Sequence, residues 1–155
     1  MKLSGLTTSL DTNDDPENLW AAEVKDVLKS VDVFLPNEQE ACKLARAGDV
    51  ESALEYLSSL VSIVVIKCGA RGVVAKHGSK RFTVPARPVQ PVDTVGAGDS
   101  FNAGFLHEFI RGSAVQDCLE YGVACAALSA TRTGGTEAFR DHQHRESFLL
   151  HHGKA

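Results

Sequence analysis

The chain has 155 residues, enough for one domain with a hydrophobic core. Its 43% hydrophobic and 23% charged residues and its net charge of −4 are ordinary for a globular protein, and no basic cluster indicates nucleic acid as a partner. No apolar run approaches the about 20 residues of a membrane span, and the start lacks the apolar core of a signal peptide. We therefore expect a cytoplasmic protein with reduced cysteines and no membrane partner.

Predicted strands and helices alternate over the first half of the chain. Strands are predicted at 6–10, 31–35 and 62–68, and apolar residues at helical spacing predict helices at 20–31, 41–47 and 50–60, the second ending at Gly48. Two short strands at 73–76 and 81–84, separated by a glycine turn, predict a meander at a sheet edge. Alternation of this kind predicts an α/β fold with a mostly parallel sheet.

Polar residues follow the first predicted strand. Asp11 and Asn13 stand where open α/β sheets place ligand contacts, so both are candidate site residues. Asp15 precedes Pro16 at the start of the next helix, and we assign Asp15 to helix capping.

A glycine turn precedes the helix predicted at 100–111. Gly96 and Gly98 flank one small residue, and a glycine turn that enters a helix presents backbone amides to an anion. Asp99 follows directly, and the residues alone leave two interpretations open: a helix cap, or a general base that takes a proton from a hydroxyl. A dinucleotide-binding fingerprint would need glycine at Phe101, so a Rossmann oxidoreductase is disfavoured. No P-loop pattern occurs in the chain, which excludes an ordinary P-loop.

Residues 93–105 read Asp-Thr-Val-Gly-Ala-Gly-Asp-Ser-Phe-Asn-Ala-Gly-Phe. This stretch resembles the second signature of the ribokinase-like (PfkB-type) carbohydrate kinases. The resemblance implies that Asp99 is the catalytic base and that the amides of Gly96, Ala97 and Gly98 form the anion hole. It also implies a three-layer α/β/α fold with a Rossmann-like sheet, and ATP-dependent phosphorylation of a sugar hydroxyl with Mg²⁺.

Two further motifs resemble the nucleotide side of this family. Asn37-x-x-Glu40 follows a predicted strand, and the resemblance implies that Glu40 holds Mg²⁺ through water and that Asn37 helps to fix the nucleotide phosphates. Lys67-x-Gly69-x-x-Gly72 is similar to the loop that faces the ATP phosphates, although many members carry Thr or Ser where Lys67 stands.

The last part of the chain resembles the family's cation loop. Ser113 is predicted to cap a helix that runs to about residue 130, and the loop at 129–136 follows it. In the family such a loop binds a monovalent cation, such as K⁺, together with the first Asp of the signature. The implied ligands are Asp93 and the carbonyl oxygens of Ser129, Arg132 and Gly134. The histidine-containing end of the chain is predicted to be an exposed polar tail.

The resemblance covers the C-terminal, nucleotide-binding and catalytic half of the family domain, here residues 1–155. The sugar-binding half and its lid are expected to be absent, so the chain is either truncated or completed by a second chain. The alternative function is a non-catalytic nucleotide-binding remnant. An unpaired edge at strand 6–10 would favour a homo-oligomer or another association, and the chain alone is not expected to phosphorylate free sugars.

Overall fold

The computed structural model describes the backbone of residues 5–13 and 22–152 and the side chains of residues 5–13 and 24–150. These residues form two compact units, one of residues up to Cys68 with 74–83, the other of 69–73 with the chain from Val84 onward. The predicted cap Asp15 and the apolar residue Trp20 lie outside the described residues.

The first unit carries nearly all of a five-stranded sheet and the helices between its parallel strands. In chain order the elements are β1 (Ser9–Leu10), α1 (Ala22–Leu28), β2 (Val33–Phe34), α2 (Glu38–Ala45), α3 (Val50–Ser58), β3 (Ile63–Lys67), β4 (Val73–His77) and β5 (Lys80–Val84).

The strands follow the order β1-β2-β3-β4-β5 across the sheet. Strands β1, β2 and β3 are parallel, with Ser9 opposite Val33 and Val33 opposite Ile63. Strands β4 and β5 are neighbours joined by two residues, a connection that only an antiparallel hairpin allows. The predicted parallel sheet with a hairpin at one edge is thus confirmed. The strand predicted at 6–10 is shorter than expected and forms the other edge, and short edge strands resist unwanted pairing.

The core of this unit lies between β3 and the helices α2 and α3. The alternation of apolar residues in α3 buries Ala53, Leu54 and Leu57 completely, and Val64 and Ile66 of β3 are also fully buried. A strand that is apolar at successive positions needs cover on both faces, which explains why β3 lies at the centre of the five-stranded sheet.

Helix α2 ends earlier than the sequence indicates. Arg46 adopts a left-handed conformation (φ 53°), its N–H donates to the Lys43 carbonyl, and the Ala47 N–H donates to the Cys42 carbonyl at 2.9 Å. This pair of hydrogen bonds is a Schellman motif, in which glycine is the usual left-handed residue. The predicted stop at Gly48 was therefore wrong by two residues.

The second unit contains four α-helices within its described residues. They are α4 (Ala97–Ile110), α5 (Val115–Ala130), α6 (Glu137–Arg140) and α7 (His142–His152). Helices α4 and α5 pack closely because glycines lie at the contact: a Cβ on Gly104 would approach the Cys125 sulfur to 2.8 Å, and one on Gly122 the Phe101 ring to 2.9 Å.

Three expectations for this unit are corrected. Helix α4 begins at Ala97, three residues before the predicted start. Ser113 does not cap α5, whose N-cap is Ala114; the Ser113 hydroxyl instead donates to the Glu108 carboxylate at 2.6 Å. The predicted polar tail is helical over α6 and α7, and pairs such as Arg140 with Glu137 (3.2 Å, i,i+3) support a helix even without an apolar stripe.

In the part of the chain that the structure describes, no helix combines the length and the apolar character that a membrane crossing requires.

We expect Gly122→Val to destabilise the second unit by about 1–3 kcal/mol, because the added carbons overlap the Phe101 ring and force α4 away from α5. Urea denaturation followed by circular dichroism measures the change. Gly48→Ala is the control, since a Cβ at Gly48 meets no atom within 4 Å. Equal stability of wild type and Gly122→Val would show that the helices can separate without cost.

Candidate functional site

The carboxyl ends of the three parallel strands gather polar side chains in the first unit. Asn37 follows β2 and forms a parallel bridge with Lys67, the last residue of β3. Asp11 and Thr12 follow β1. Since parallel strands end at the same edge of a sheet, these residues lie at the edge where open α/β folds bind ligands.

Glu40 is the buried carboxylate of this group, with 6% of the residue exposed. One of its oxygens (Oε2) accepts from the Asn37 N–H (2.9 Å) and from the Thr12 hydroxyl (3.0 Å), and the other (Oε1) accepts from the Asn37 side-chain amide (2.6 Å). The Asn37 side-chain oxygen accepts from the Glu40 N–H at 2.9 Å, which completes a capping box at the start of α2. Glu40 and Asn37 are thus held rigidly by each other.

Thr12 is a member of this group that the sequence analysis missed. Its only signal was its place between Asp11 and Asn13 after the first strand, and Asn13 itself is exposed.

Lys67 forms an ion pair with Asp11. The Lys67 ammonium lies 3.1 and 3.2 Å from the two Asp11 oxygens, and the Lys67 side chain is 14% exposed. The backbone N–H of Lys67 donates to the Pro36 carbonyl at 2.9 Å. The charge of Lys67 is therefore compensated at the end of β1.

The glycines of the predicted phosphate loop lie in and after a short 3₁₀ turn, Gly69–Arg71. The Gly72 N–H donates to the Gly69 carbonyl at 3.0 Å. Gly72 has a φ of 92°, and a Cβ there would collide with the Val84 carbonyl oxygen, whereas a Cβ at Gly69 would meet open space. Backbone packing by itself accounts for the glycine at position 72.

The signature turn of the second unit is built on Gly96. Gly96 is the N-cap of α4 with a φ of 74°, and a Cβ there would lie 2.7 Å from the Gly135 Cα. The Ala97 N–H donates to the Thr94 carbonyl at 3.2 Å. Over the ranges 5–13 and 22–152, no acceptor is bonded to the amides of Gly98 and Asp99.

Asp99 is the third residue of α4, and its side chain is exposed. The helix makes no side-chain cap hydrogen bond, so the capping interpretation of Asp99 does not apply. A free carboxylate and two free amides therefore stand together at the positive end of α4. This arrangement can bind an anion through the amides and accept a proton through the carboxylate.

Asp93 joins the signature to the loop that follows α5. Its two oxygens accept from the Val95 N–H (3.0 Å) and the Gly134 N–H (2.9 Å). These hydrogen bonds, the one from Gly134 first, hold the pKa of Asp93 below its ordinary value of 3.8. The buried Ser129 hydroxyl donates to the Gly135 carbonyl at 3.1 Å, and the Ser129 carbonyl is 3.5 Å from the Arg132 N–H. Among the implied cation ligands, the structure thus joins Asp93 to Gly134 and Ser129 to Arg132.

A cavity of about 670 Å³ opens beside Asp99 within the second unit. Its lining follows one face of α4 and continues onto α5 and α7, and includes Asp99, Ala103, His107, Tyr121, Arg145 and Leu149. The sequence analysis did not anticipate this cavity. The four-residue spacing of Asp99, Ala103 and His107 along α4 can be read from the sequence, but the sequence does not show that α7 packs beside these residues.

A family model described as pfkB family carbohydrate kinase matches residues 7–142. The ribokinase of Haemophilus influenzae is 31% identical over 132 residues, which are 81% of this chain and 43% of that protein. Among solved structures, a ribokinase II from E. coli in complex with ATP and Mg²⁺ is 31% identical, with a TM-score of 0.83, and the match covers 97% of this chain and 51% of that one.

A fructokinase from Vibrio cholerae, bound to fructose, ADP and a potassium ion, is 25% identical with a TM-score of 0.79, covering 91% of this chain and 49% of that one. These similarities confirm the predicted α/β fold class of the ribokinase type. The chain spans about half the length of the relatives that it matches.

We expect Asp93→Asn to weaken the signature loop at neutral pH, because the Asn side chain keeps only one acceptor oxygen, so one of the two backbone N–H groups loses its hydrogen bond. Because folding lowers the pKa of Asp93, its ionised carboxylate stabilises the folded state at pH values above 3.8, the ordinary pKa. This stabilisation is lost as the pH falls through the lowered pKa. Denaturation curves at several pH values should thus show wild type and variant converging in acid.

The control is Asp117→Asn, which removes the same charge from an exposed position. A difference between Asp93→Asn and wild type that persists unchanged below the lowered pKa would contradict the role assigned to the carboxylate.

Proposed function

Since the chain belongs to the pfkB family of carbohydrate kinases, we propose that its residues 1–155 supply the C-terminal, nucleotide-binding and catalytic part of an ATP-dependent sugar kinase. The observation that supports this most directly is the start of α4, where the unbonded amides of Gly98 and Asp99 accompany an exposed carboxylate. An ordinary helix start would satisfy such amides with a capping side chain.

The proposed reaction is transfer of the γ-phosphoryl group of ATP to a sugar hydroxyl. Asp99 takes the proton of the hydroxyl, the oxygen attacks the γ-phosphorus, and the bond to ADP breaks on the opposite side. The amides of Gly96, Ala97 and Gly98 are proposed to hold the phosphoryl oxygens as fixed dipoles. The Ala97 N–H donates to the Thr94 carbonyl at 3.2 Å, so it would share its hydrogen between that carbonyl and the phosphoryl group. The products are a sugar phosphate and ADP.

We further propose that Asn37, Lys67, Gly69 and Gly72 serve nucleotide binding and that Glu40 serves Mg²⁺. A carboxylate offers about four acceptor positions, and Glu40 already uses three of them for Asn37 and Thr12. The donor set therefore fits a water molecule of the Mg²⁺ shell rather than the metal itself. Mg²⁺ commonly keeps several waters and takes its other ligands from substrate phosphates, whose charge it neutralises during transfer.

A monovalent cation such as K⁺ is proposed at the loop around Asp93. The donor set consists of the carboxylate and the carbonyl oxygens of Ser129, Arg132 and Gly134, which suits a hard cation. Asp93 keeps acceptor capacity besides its bonds to Val95 and Gly134. A cation there would stabilise the loop that positions the start of α4.

The alternative function is a nucleotide-binding module that is not catalytic by itself or that needs a partner chain for the sugar. The observation that favours it is length, since the chain spans about half of its relatives. Self-association through the edge strand β1 would be one way to complete the sheet. Both functions share the nucleotide site, and a sugar-dependent release of ADP separates them.

We expect Gly98→Val to weaken the binding of a non-hydrolysable ATP analogue by about tenfold or more, because the branched side chain blocks amides that would make charge-assisted hydrogen bonds. Isothermal titration of the 155-residue chain measures the affinity. Asp99→Asn is the matched control at the next residue, and it should keep or increase affinity because it removes a negative charge near the phosphates. Unchanged affinity in Gly98→Val would mean that the turn does not bind phosphate.

Asp99→Asn should lower the rate of sugar phosphorylation by about 10²–10⁴, the usual contribution of a general base. The measurement is made in a polypeptide that contains these residues and phosphorylates a sugar, with Asp117→Asn as the variant that removes an exposed charge elsewhere. Near wild-type turnover in Asp99→Asn would remove this residue from the mechanism.

A further inference from the structure

Thr12 holds the buried Glu40 carboxylate from outside α2. Its hydroxyl donates to Glu40 Oε2 at 3.0 Å across 28 positions of the chain, whereas the other two donors described for this carboxylate belong to Asn37, three residues before Glu40. The Asn37 bonds form together with the start of the helix, as in other capping boxes. The Thr12 bond instead depends on where β1 ends, and α2 does not need it to begin.

The backbone of Thr12 is itself held in place by the end of β3. Asp11 Oδ1 accepts from the Thr12 N–H at 3.0 Å and from the Lys67 ammonium at 3.1 Å. Lys67 is the last residue of β3, so the sheet fixes the point from which the Thr12 hydroxyl reaches Glu40. A continuous series of hydrogen bonds therefore joins Lys67, which is proposed for the nucleotide, to Glu40, which is proposed for Mg²⁺.

The Thr12 hydroxyl decides which acceptor position of Glu40 stays open. A carboxylate has about four acceptor positions, two on each oxygen. Oε2 takes the Asn37 N–H and the Thr12 hydroxyl, and Oε1 takes the Asn37 side-chain amide at 2.6 Å. These contacts leave one position on Oε1, so a water molecule of the Mg²⁺ shell has a single place to donate its hydrogen bond.

Loss of the hydroxyl would leave a second acceptor position, on Oε2, without a donor. Only 6% of Glu40 is exposed, so bulk water does not freely replace the missing donor. The carboxylate would turn to share its remaining donors, and the open position on Oε1 would turn with it. Removing a partner that orients a metal-binding group usually changes metal affinity by about 10–100-fold. Because water lies between Glu40 and Mg²⁺ here, we expect the lower end of this range.

We propose that Thr12 is a positioning residue for Mg²⁺: its hydroxyl orients the Glu40 carboxylate toward one water molecule of the metal shell and thereby strengthens the binding of Mg²⁺ with the nucleotide. This inference rests on the proposed function, since that function places Mg²⁺ and the nucleotide phosphates beside Glu40 and Asn37. It assigns a role in metal binding to the segment that follows β1.

The test is isothermal titration of the 155-residue chain with a non-hydrolysable ATP analogue, once in excess Mg²⁺ and once in EDTA. The ratio of the two dissociation constants gives the Mg²⁺ enhancement, the factor by which the metal raises the affinity for the analogue. Association of Mg²⁺ with the analogue in solution is the same for every variant, so it cancels when variants are compared. We expect Thr12→Val to reduce the enhancement by about tenfold and to leave the affinity in EDTA nearly unchanged.

Three further variants separate the orientation of Glu40 from stability. Thr12→Ser keeps the hydroxyl and should keep the enhancement near the wild-type value. Thr12→Ala removes the hydroxyl without adding a branched side chain, and it gives the same readout if Thr12→Val does not fold. Thr8→Val is the matched control, because the Thr8 hydroxyl also donates to a carboxylate, that of Asp32 at 3.0 Å, but before β1 rather than after it. It should lower the melting temperature and leave the enhancement unchanged.

An unchanged enhancement in the variants that lack the Thr12 hydroxyl would overturn the inference, as would an equal loss in Thr12→Ser or Thr8→Val. A wild-type chain that binds the analogue equally well with and without Mg²⁺ would also overturn it. Failure of the wild-type chain to bind the analogue under either condition argues instead against the proposed function. The two ideas therefore fail on different measurements.

Discussion

The backbone of Gly96 lies so close to that of Gly135 that a Cβ on Gly96 would approach the Gly135 Cα to 2.7 Å, and the candidate catalytic residues depend on this approach. It holds Gly96 in a left-handed conformation, from which α4 begins without a capping side chain. Asp93 strengthens the same contact by accepting from Gly134. The free amides and the exposed Asp99 are a consequence, because the chain enters the helix too abruptly for a cap.

In the first unit, the residues with a proposed chemical role also have a structural role. Asn37 and Glu40 cap α2 reciprocally, so the residues proposed to face the nucleotide and Mg²⁺ are also those that start the helix. Their substitution would change stability and binding together, and activity alone would not separate the two roles. Asp99, which makes no structural hydrogen bond at the start of α4, offers a cleaner test of chemistry.

Local sequence signals were sufficient where each residue's role is set by its neighbours in the chain. Apolar spacing located α3 and β3, and Asp49 caps α3 by accepting from the Ser52 N–H. The glycine turn located the signature helix to within three residues. The errors came where two local arrangements compete, so that a residue nearby in the chain takes the hydrogen bond or the backbone conformation expected of another. Ser113 bonds to Glu108 instead of capping α5, and Arg46 takes the left-handed position that Gly48 was expected to occupy.

The sequence by itself determined the order of strands and helices as far as α5, and it singled out the glycine turn and Asp99 as candidates, because these follow from periodicity and from a motif of adjacent residues. The tertiary structure alone decided which distant residues share the cavity. Helix α7 carries its apolar residues, Phe148, Leu149 and Leu150, as one adjacent run without a helical period, so its sequence does not set which face turns toward α5. Arg145 reaches the cavity through packing, and packing depends on contacts between residues that are far apart in the chain.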